Sequence, residues 1–135
     1  IRAMMAMADI VKLSDEDLDW FGEAGSHEDV VRNWLDRGPK LIVVTHGSEG
    51  AVGYTRDHAV TVMPDKVEVV DTVGAGDTFN ACILASLHEQ GLLTKAAIAG
   101  LSKDAIQAAL ALGAKAAAVT VSRAGANPPW RHEIA

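Results

Sequence analysis

The sequence predicts an α/β fold in which helices cover the faces of a mostly parallel sheet, and three observations carry that prediction. A helical pattern over residues 27–37 runs into an all-apolar strand, Leu41-Ile42-Val43-Val44, as expected of a strand buried on both faces. A strand-like run at 67–70 meets a glycine turn, and a helical pattern follows from Ala75 to Gly91. Two further helical patterns, 94–101 and 103–121, complete the chain, the second alanine-rich enough to pack close against a neighbour.

In chain order, residues 9–13 read as a strand with no opening element before it, and with Ile1 in first place this suggests a fragment. Ser14, followed by Asp15, Glu16 and Asp17, supplies an N-cap oxygen and three carboxylates to a short helix through Trp20 and Phe21. Val30, Val31, Trp34 and Leu35 give the next helix its apolar spacing, and Gly38-Pro39 ends it. A strand at 40–45 follows. Gly47, Gly50 and Gly53 punctuate the next stretch, where two β-rich runs, 51–55 and 59–63, flank an Arg56-Asp57 turn as a hairpin. Gly74 and Gly76 break the 67–70 run, after which Phe79, Ile83, Leu84 and Leu87 recur at helical spacing. Gly125, Pro128 and Pro129 end regular structure.

Composition narrows the function classes. At 135 residues and 49% hydrophobic, the chain suits one compact domain. A net charge of -6 offers no basic field for a phosphate backbone, so small molecules are expected rather than nucleic acid. No apolar run approaches the roughly 20 residues that span a bilayer, so no membrane partner is expected. Cys82 is alone, which rules out an internal disulfide framework and suits a reducing, cytoplasmic setting. The five His lack the paired spacing of a zinc site, no G-x-S-x-G elbow marks a hydrolase, and Trp20, Trp34 and Trp130 are too scattered for a stacking surface.

Residues 74–77 concentrate the chemistry. Glycines at 74 and 76 let backbone approach a phosphate, and the helix beginning at Ala75 turns its unpaired N–H groups toward the same point. Asp77 lies in that first turn, where its carboxylate can orient an alcohol nucleophile. An ordinary strand-to-helix turn with a favourable first-turn acid would use the same residues. No Gly-Lys-Ser/Thr follows, which excludes a Walker A loop, and the six-residue dinucleotide glycine pattern is absent.

The whole string Asp71-Thr72-Val73-Gly74-Ala75-Gly76-Asp77-Thr78-Phe79-Asn80 closely resembles the second signature of the ribokinase-like (PfkB) carbohydrate kinases. The similarity extends along essentially the entire chain and, within the family, is most like the bacterial fructokinases. It implies the C-terminal part of a three-layer α/β/α sandwich, with residues 1–135 the C-terminal portion of one kinase domain and the sugar-binding half and lid elsewhere. The sheet would then lack partner strands, leaving an apolar edge open to association.

The implied activity is transfer of the ATP γ-phosphoryl to a sugar hydroxyl, fructose first, with ribokinase, another sugar or nucleoside kinase, or a non-catalytic nucleotide-binding module as alternatives. By that resemblance Asp77 is the base, and Gly74, Ala75, Gly76 and Asp77 form the anion hole. Val11-Lys12-Leu13-Ser14-Asp15-Glu16-Asp17 looks like the fructokinase form of an Asn-x-x-Glu segment linked to magnesium, placing Asp17 for water-mediated Mg²⁺ contact; a helix cap explains the same residues. Thr45-His46-Gly47-Ser48-Glu49-Gly50 matches a Thr-x-Gly-x-x-Gly turn beside the nucleotide phosphates, implicating Thr45, Gly47 and Gly50. Gly113 and Ala117 would border the adenine. The closing segment 117–130 implies a K⁺ site built from the Asp71 carboxylate and the carbonyls of Val73, Thr120, Arg123 and Gly125. Pro129 stands where some members place a serine hydroxyl, and Asp71 could equally cap its own turn. The implied partners are ATP and a small sugar, with a homodimer of the full-length protein left open.

Overall fold

The computed structural model describes residues 1–135. Its secondary structure runs α1 (Arg2–Met7), β1 (Ile10–Ser14), α2 (Asp15–Phe21), α3 (His27–Leu35), β2 (Leu41–Thr45), a 3-10 turn (Gly47–Glu49), β3 (Ala51–Tyr54), β4 (Ala59–Val62), α4 (Ala75–Glu89), α5 (Lys95–Ala99), α6 (Lys103–Val121) and a 3-10 turn (Arg131–Glu133). The four strands lie in chain order in one sheet.

Strand β2 explains the layering. Side chains alternate across a sheet, so Leu41 and Val43 point to one face and Ile42 and Val44 to the other. The first pair packs with Phe79, Ile83, Leu87, Ile106 and Leu110 from α4 and α6. The second packs with Leu18, Val30, Val31, Trp34 and Leu35 from α2 and α3. Both faces are therefore covered, and the α/β/α class holds. Each fully buried Leu, Ile or Val in these layers contributes about 1.5–3 kcal/mol relative to exposure.

The mostly parallel expectation does not hold within this chain. Only β1 and β2 pair parallel, Ile10 opposite Leu41 through Ser14 opposite Thr45; β2–β3 and β3–β4 are antiparallel. Connection length decides this. A parallel pair needs a crossover of a dozen or more residues, and only the β1–β2 link, carrying α2 and α3, is long enough. The hairpin around Arg56-Asp57 forms as expected, with Tyr54 opposite Ala59.

Two other expectations are corrected. An opening element exists: α1 precedes β1, its Met5 packing against the α2–α3 layer. Residues 67–70 are not a strand. The sheet order ends at β4, and the run's amide at Val70 instead finds the Val121 carbonyl at 2.7 Å, leaving Val69 and Val70 exposed. Helix α6, 19 residues long, is apolar and long enough by composition to cross a membrane. Here it is a core element whose Ile106, Ala109 and Leu110 are buried against α4 and the sheet.

The Ser14 cap read from sequence is present. Ser14 and Asp17 form a reciprocal capping box at α2, and the structure adds a second at α3 from Ser26 and Asp29.

Candidate active site at the start of helix α4

Gly74 is the N-cap of α4 with φ +80°, a left-handed conformation that glycine adopts without a Cβ penalty. It has no side chain with which to cap the helix, so the first-turn amides must find partners elsewhere. Ala75 uses its amide on the Thr72 carbonyl at 3.3 Å, and Thr78 donates to the Gly74 carbonyl at 2.9 Å. The amides of Gly76 and Asp77 make no hydrogen bond within the chain. Of the four residues expected from sequence to form an anion hole, Gly76 and Asp77 thus have free amides. Asp77 is exposed in the same turn.

Lys12 is the residue that sequence reasoning passed over. Ile10 packs into the α4–α6 layer and Val11 and Leu13 into the other, so alternation directs Lys12 toward α4. Its Nζ lies 2.9 Å from where a Cβ on Gly76 would stand. Burial pushes the Lys12 ammonium below the usual lysine range, while the carboxylates of Asp17 and Asp77 pull it back up. A lysine amid Ile10, Val11 and Leu13 was the available signal, because a charge on a packed sheet face needs a reason.

A cleft of about 690 Å³ opens beside this turn. Thr45, the last residue of β2, borders it with Gly47 and Gly50, as do Ala75 and Gly76 from the helix start. The site thus lies at the carboxyl end of a parallel strand. Ala114, Ala117, Ala118 and Val121 of α6 form an apolar wall, with Val67 and Val69 also lining the cleft. Of residues 67–70, expected as a strand, these two wall the cleft instead. Gly113 does not line it. A Cβ there would meet the Phe79 ring at 3.0 Å, so this glycine serves α4–α6 packing. Gly50 borders the cleft but is itself dictated by the fold, with φ +100° and a hypothetical Cβ 2.1 Å from the Val62 carbonyl.

Asp71 does cap its turn and also ties it to the closing segment. Oδ1 accepts from the Val73 amide at 3.0 Å and Oδ2 from the Gly125 amide at 2.9 Å. The Val73 and Gly125 amides hold this carboxyl below the usual carboxylate range. Ala126 approaches Gly74 in the same contact, 3.1 Å from a hypothetical Cβ. The Thr120 and Gly125 carbonyls each accept one backbone N–H, from Arg123 and Asn127, which leaves each a further lone pair. The donor set of Asp71 with these carbonyls therefore fits a monovalent cation. The Arg123 side chain turns to Glu133, with Nη2 2.5 Å from Oε1.

Asp17 uses Oδ2 to accept the Ser14 amide at 2.8 Å, and the Ser14 backbone and side-chain hydrogen bonds lower its pKa. Its other oxygen has no partner in the chain, which fits water-mediated contact to a divalent ion.

A fructokinase of Rhizobium leguminosarum bv. trifolii is 57% identical to this chain over 107 residues, 79% of the chain and 33% of that protein. The crystal structure of a fructokinase with bound ATP from Xylella fastidiosa superposes with a TM-score of 0.81 at 29% identity, covering 90% of this chain and 39% of that one. A Vibrio cholerae fructokinase double mutant in fructose, ADP and potassium ion bound form gives 0.75 at 27% identity, over 92% and 38%. The chain spans about a third of the length of the curated relatives it matches. The profile of pfkB family carbohydrate kinases matches residues 1–133. Because that match covers nearly every residue, the chain belongs to the pfkB family of carbohydrate kinases.

Proposed function

We propose that the protein transfers the γ-phosphoryl group of ATP to a sugar hydroxyl, with fructose the first candidate, and that residues 1–135 form the C-terminal portion of the kinase domain. The sugar-binding half and the lid would lie outside these residues. One observation carries the reading: an exposed carboxylate, Asp77, shares the first helical turn with two unpaired amides at the edge of a nucleotide-sized cleft. The similarity to fructokinases, one solved with ATP and another with fructose, ADP and potassium, supports the choice of substrates.

In this reading Asp77 takes the proton of the attacking hydroxyl as its oxygen bonds to the γ-phosphorus and the bond to the bridging oxygen of ADP breaks. The Gly76 and Asp77 amides and the positive end of α4 stabilise negative charge on the transferred group. Lys12 adds a fixed cation beside Gly76. Thr45, Gly47 and Gly50 border the phosphates, and the apolar wall at Ala117 takes the adenine. When bound, Mg²⁺ supplies charge neutralisation at the phosphates, and Asp17 would hold it through water. Asp71 and the carbonyls of Val73, Thr120, Arg123 and Gly125 would hold K⁺, bracing the turn. We place the reaction in the cytoplasm.

The test is turnover of the intact protein with ATP, Mg²⁺ and a sugar panel, beside Asp77→Asn. Loss of about 10²–10⁴ in kcat is expected on removing the base. Equal turnover by the variant would remove Asp77 from the mechanism. ATP binding without turnover on any sugar would favour a non-catalytic nucleotide-binding module.

A further inference from the structure

The hydroxyls of Thr78 and Thr120 meet in the interior, 42 residues apart in sequence and 3.1 Å apart in space. Thr120 is fully buried and Thr78 is 7% exposed, so water cannot substitute for either partner. The Thr120 hydroxyl also lies 3.0 Å from the Ala116 carbonyl. A hydroxyl has one hydrogen to give. Both are used if Thr120 donates to Ala116 and accepts from Thr78, a short ordered chain from the first turn of α4 to the last turn of α6.

The position of that chain gives it a consequence. Thr78 follows Asp77 directly, and its own amide bonds the Gly74 carbonyl. Thr120 precedes Val121, whose carbonyl accepts the amides of Val70 and Asp71. The same end of α6 carries the cleft wall at Ala117 and Ala118. Apolar packing between α4 and α6 tolerates small sliding, whereas a buried hydroxyl pair has one good separation and direction.

We propose that Thr78 and Thr120 are positioning residues for phosphoryl transfer, their bond setting where the Asp77 carboxylate and the Gly76–Asp77 amides stand relative to a nucleotide held against α6. The proposal rests on the sugar-kinase reading above. It assigns Thr78 and Thr120 no contact with substrate.

The experiment compares Thr78→Val, Thr120→Val, the double valine variant and the two serine variants in the intact protein, by thermal melting and by steady-state kinetics. Thr120→Val strands the Thr78 hydroxyl, so its melting temperature should fall; Thr78→Val leaves Thr120 donating to Ala116 and should cost less. The double variant removes both polar groups and should recover much of the Thr120→Val loss. If the bond positions Asp77, kcat in the double variant stays down on the order of tenfold while KM for ATP moves less than about twofold. The serines, which keep the hydroxyl, should restore kcat. In an Asp77→Asn background the valines should cost less than in the wild type, because the part of their effect that passes through the Asp77 carboxylate is already lost. Wild-type turnover in the double variant, or serines as impaired as valines, would overturn the positioning role while leaving the kinase reading intact. A wild type inactive on every sugar overturns the kinase reading and this role with it.

Discussion

The Nζ of Lys12 stands 2.9 Å from the point a Cβ on Gly76 would occupy, so the glycine makes room for a cation. Strand β1 and helix α4 are far apart in sequence, yet their meeting places a positive charge at the free amides of Gly76 and Asp77. Gly76→Ala should therefore separate stability from activity. Alanine in a helix is favoured over glycine by about 1 kcal/mol, and the far end of a lysine can shift, so the melting temperature should hold or rise. Displacing Lys12 should nonetheless lower kcat by roughly tenfold or more. Lys12→Met should reproduce the kinetic loss, measured in the same assay.

Asp71 supplies a pH prediction. Hydrogen bonds from Val73 and Gly125 depress its folded-state pKa, so its contribution is present above the unfolded carboxylate value of about 3.9 and is lost as pH falls through the lower folded value. The Val73 and Gly125 amide resonances should titrate together with a midpoint below about 3.9. A midpoint at or above the ordinary value would mean the clasp does not form in solution.

Filling the cleft should affect nucleotide binding before chemistry. Ala117 lines the apolar wall that α6 contributes, so Ala117→Leu should raise KM for ATP by about tenfold or more while kcat changes less. Gly113→Ala, four residues earlier on α6, has a different outcome because its Cβ meets Phe79 rather than the cleft. Overpacking there should cost about 1–3 kcal/mol in denaturant unfolding, with KM for ATP nearly unchanged.

Gly50→Ala should be among the most damaging single changes in the turn after β2. The added Cβ would meet backbone, the Val62 carbonyl, at 2.1 Å, and the residue has φ +100°. Neither problem is relieved by a rotamer change, so a loss of about 3 kcal/mol or more is expected, read from the denaturation midpoint. Gly47→Ala provides the contrast: its φ is +55° but its Cβ would meet nothing within 4 Å, so the cost should be about 1–2 kcal/mol.

Local chemistry was legible in the sequence because its causes are local. Ser14 with Asp17 announces a helix start, Leu41 to Val44 announces a strand covered on both faces, and the glycines around Ala75 announce a turn with free amides. Each depends on backbone preferences and side-chain period within a few residues. The family resemblance is carried by strings of the same kind. Tertiary structure decided what those elements meet. Sheet direction depended on which connections could cross over, Val67 and Val69 came to line the cleft rather than a strand, and Gly113 proved to serve Phe79. Lys12, Thr78 and Thr120 acquire their roles only when β1, α4 and α6 converge, since a side chain's partner across 42 or more residues is set by packing and not by spacing. The sequence alone located the acid at Asp77 and its glycine turn; the fold determined which amides remain free, which cation stands beside them and what holds them in place.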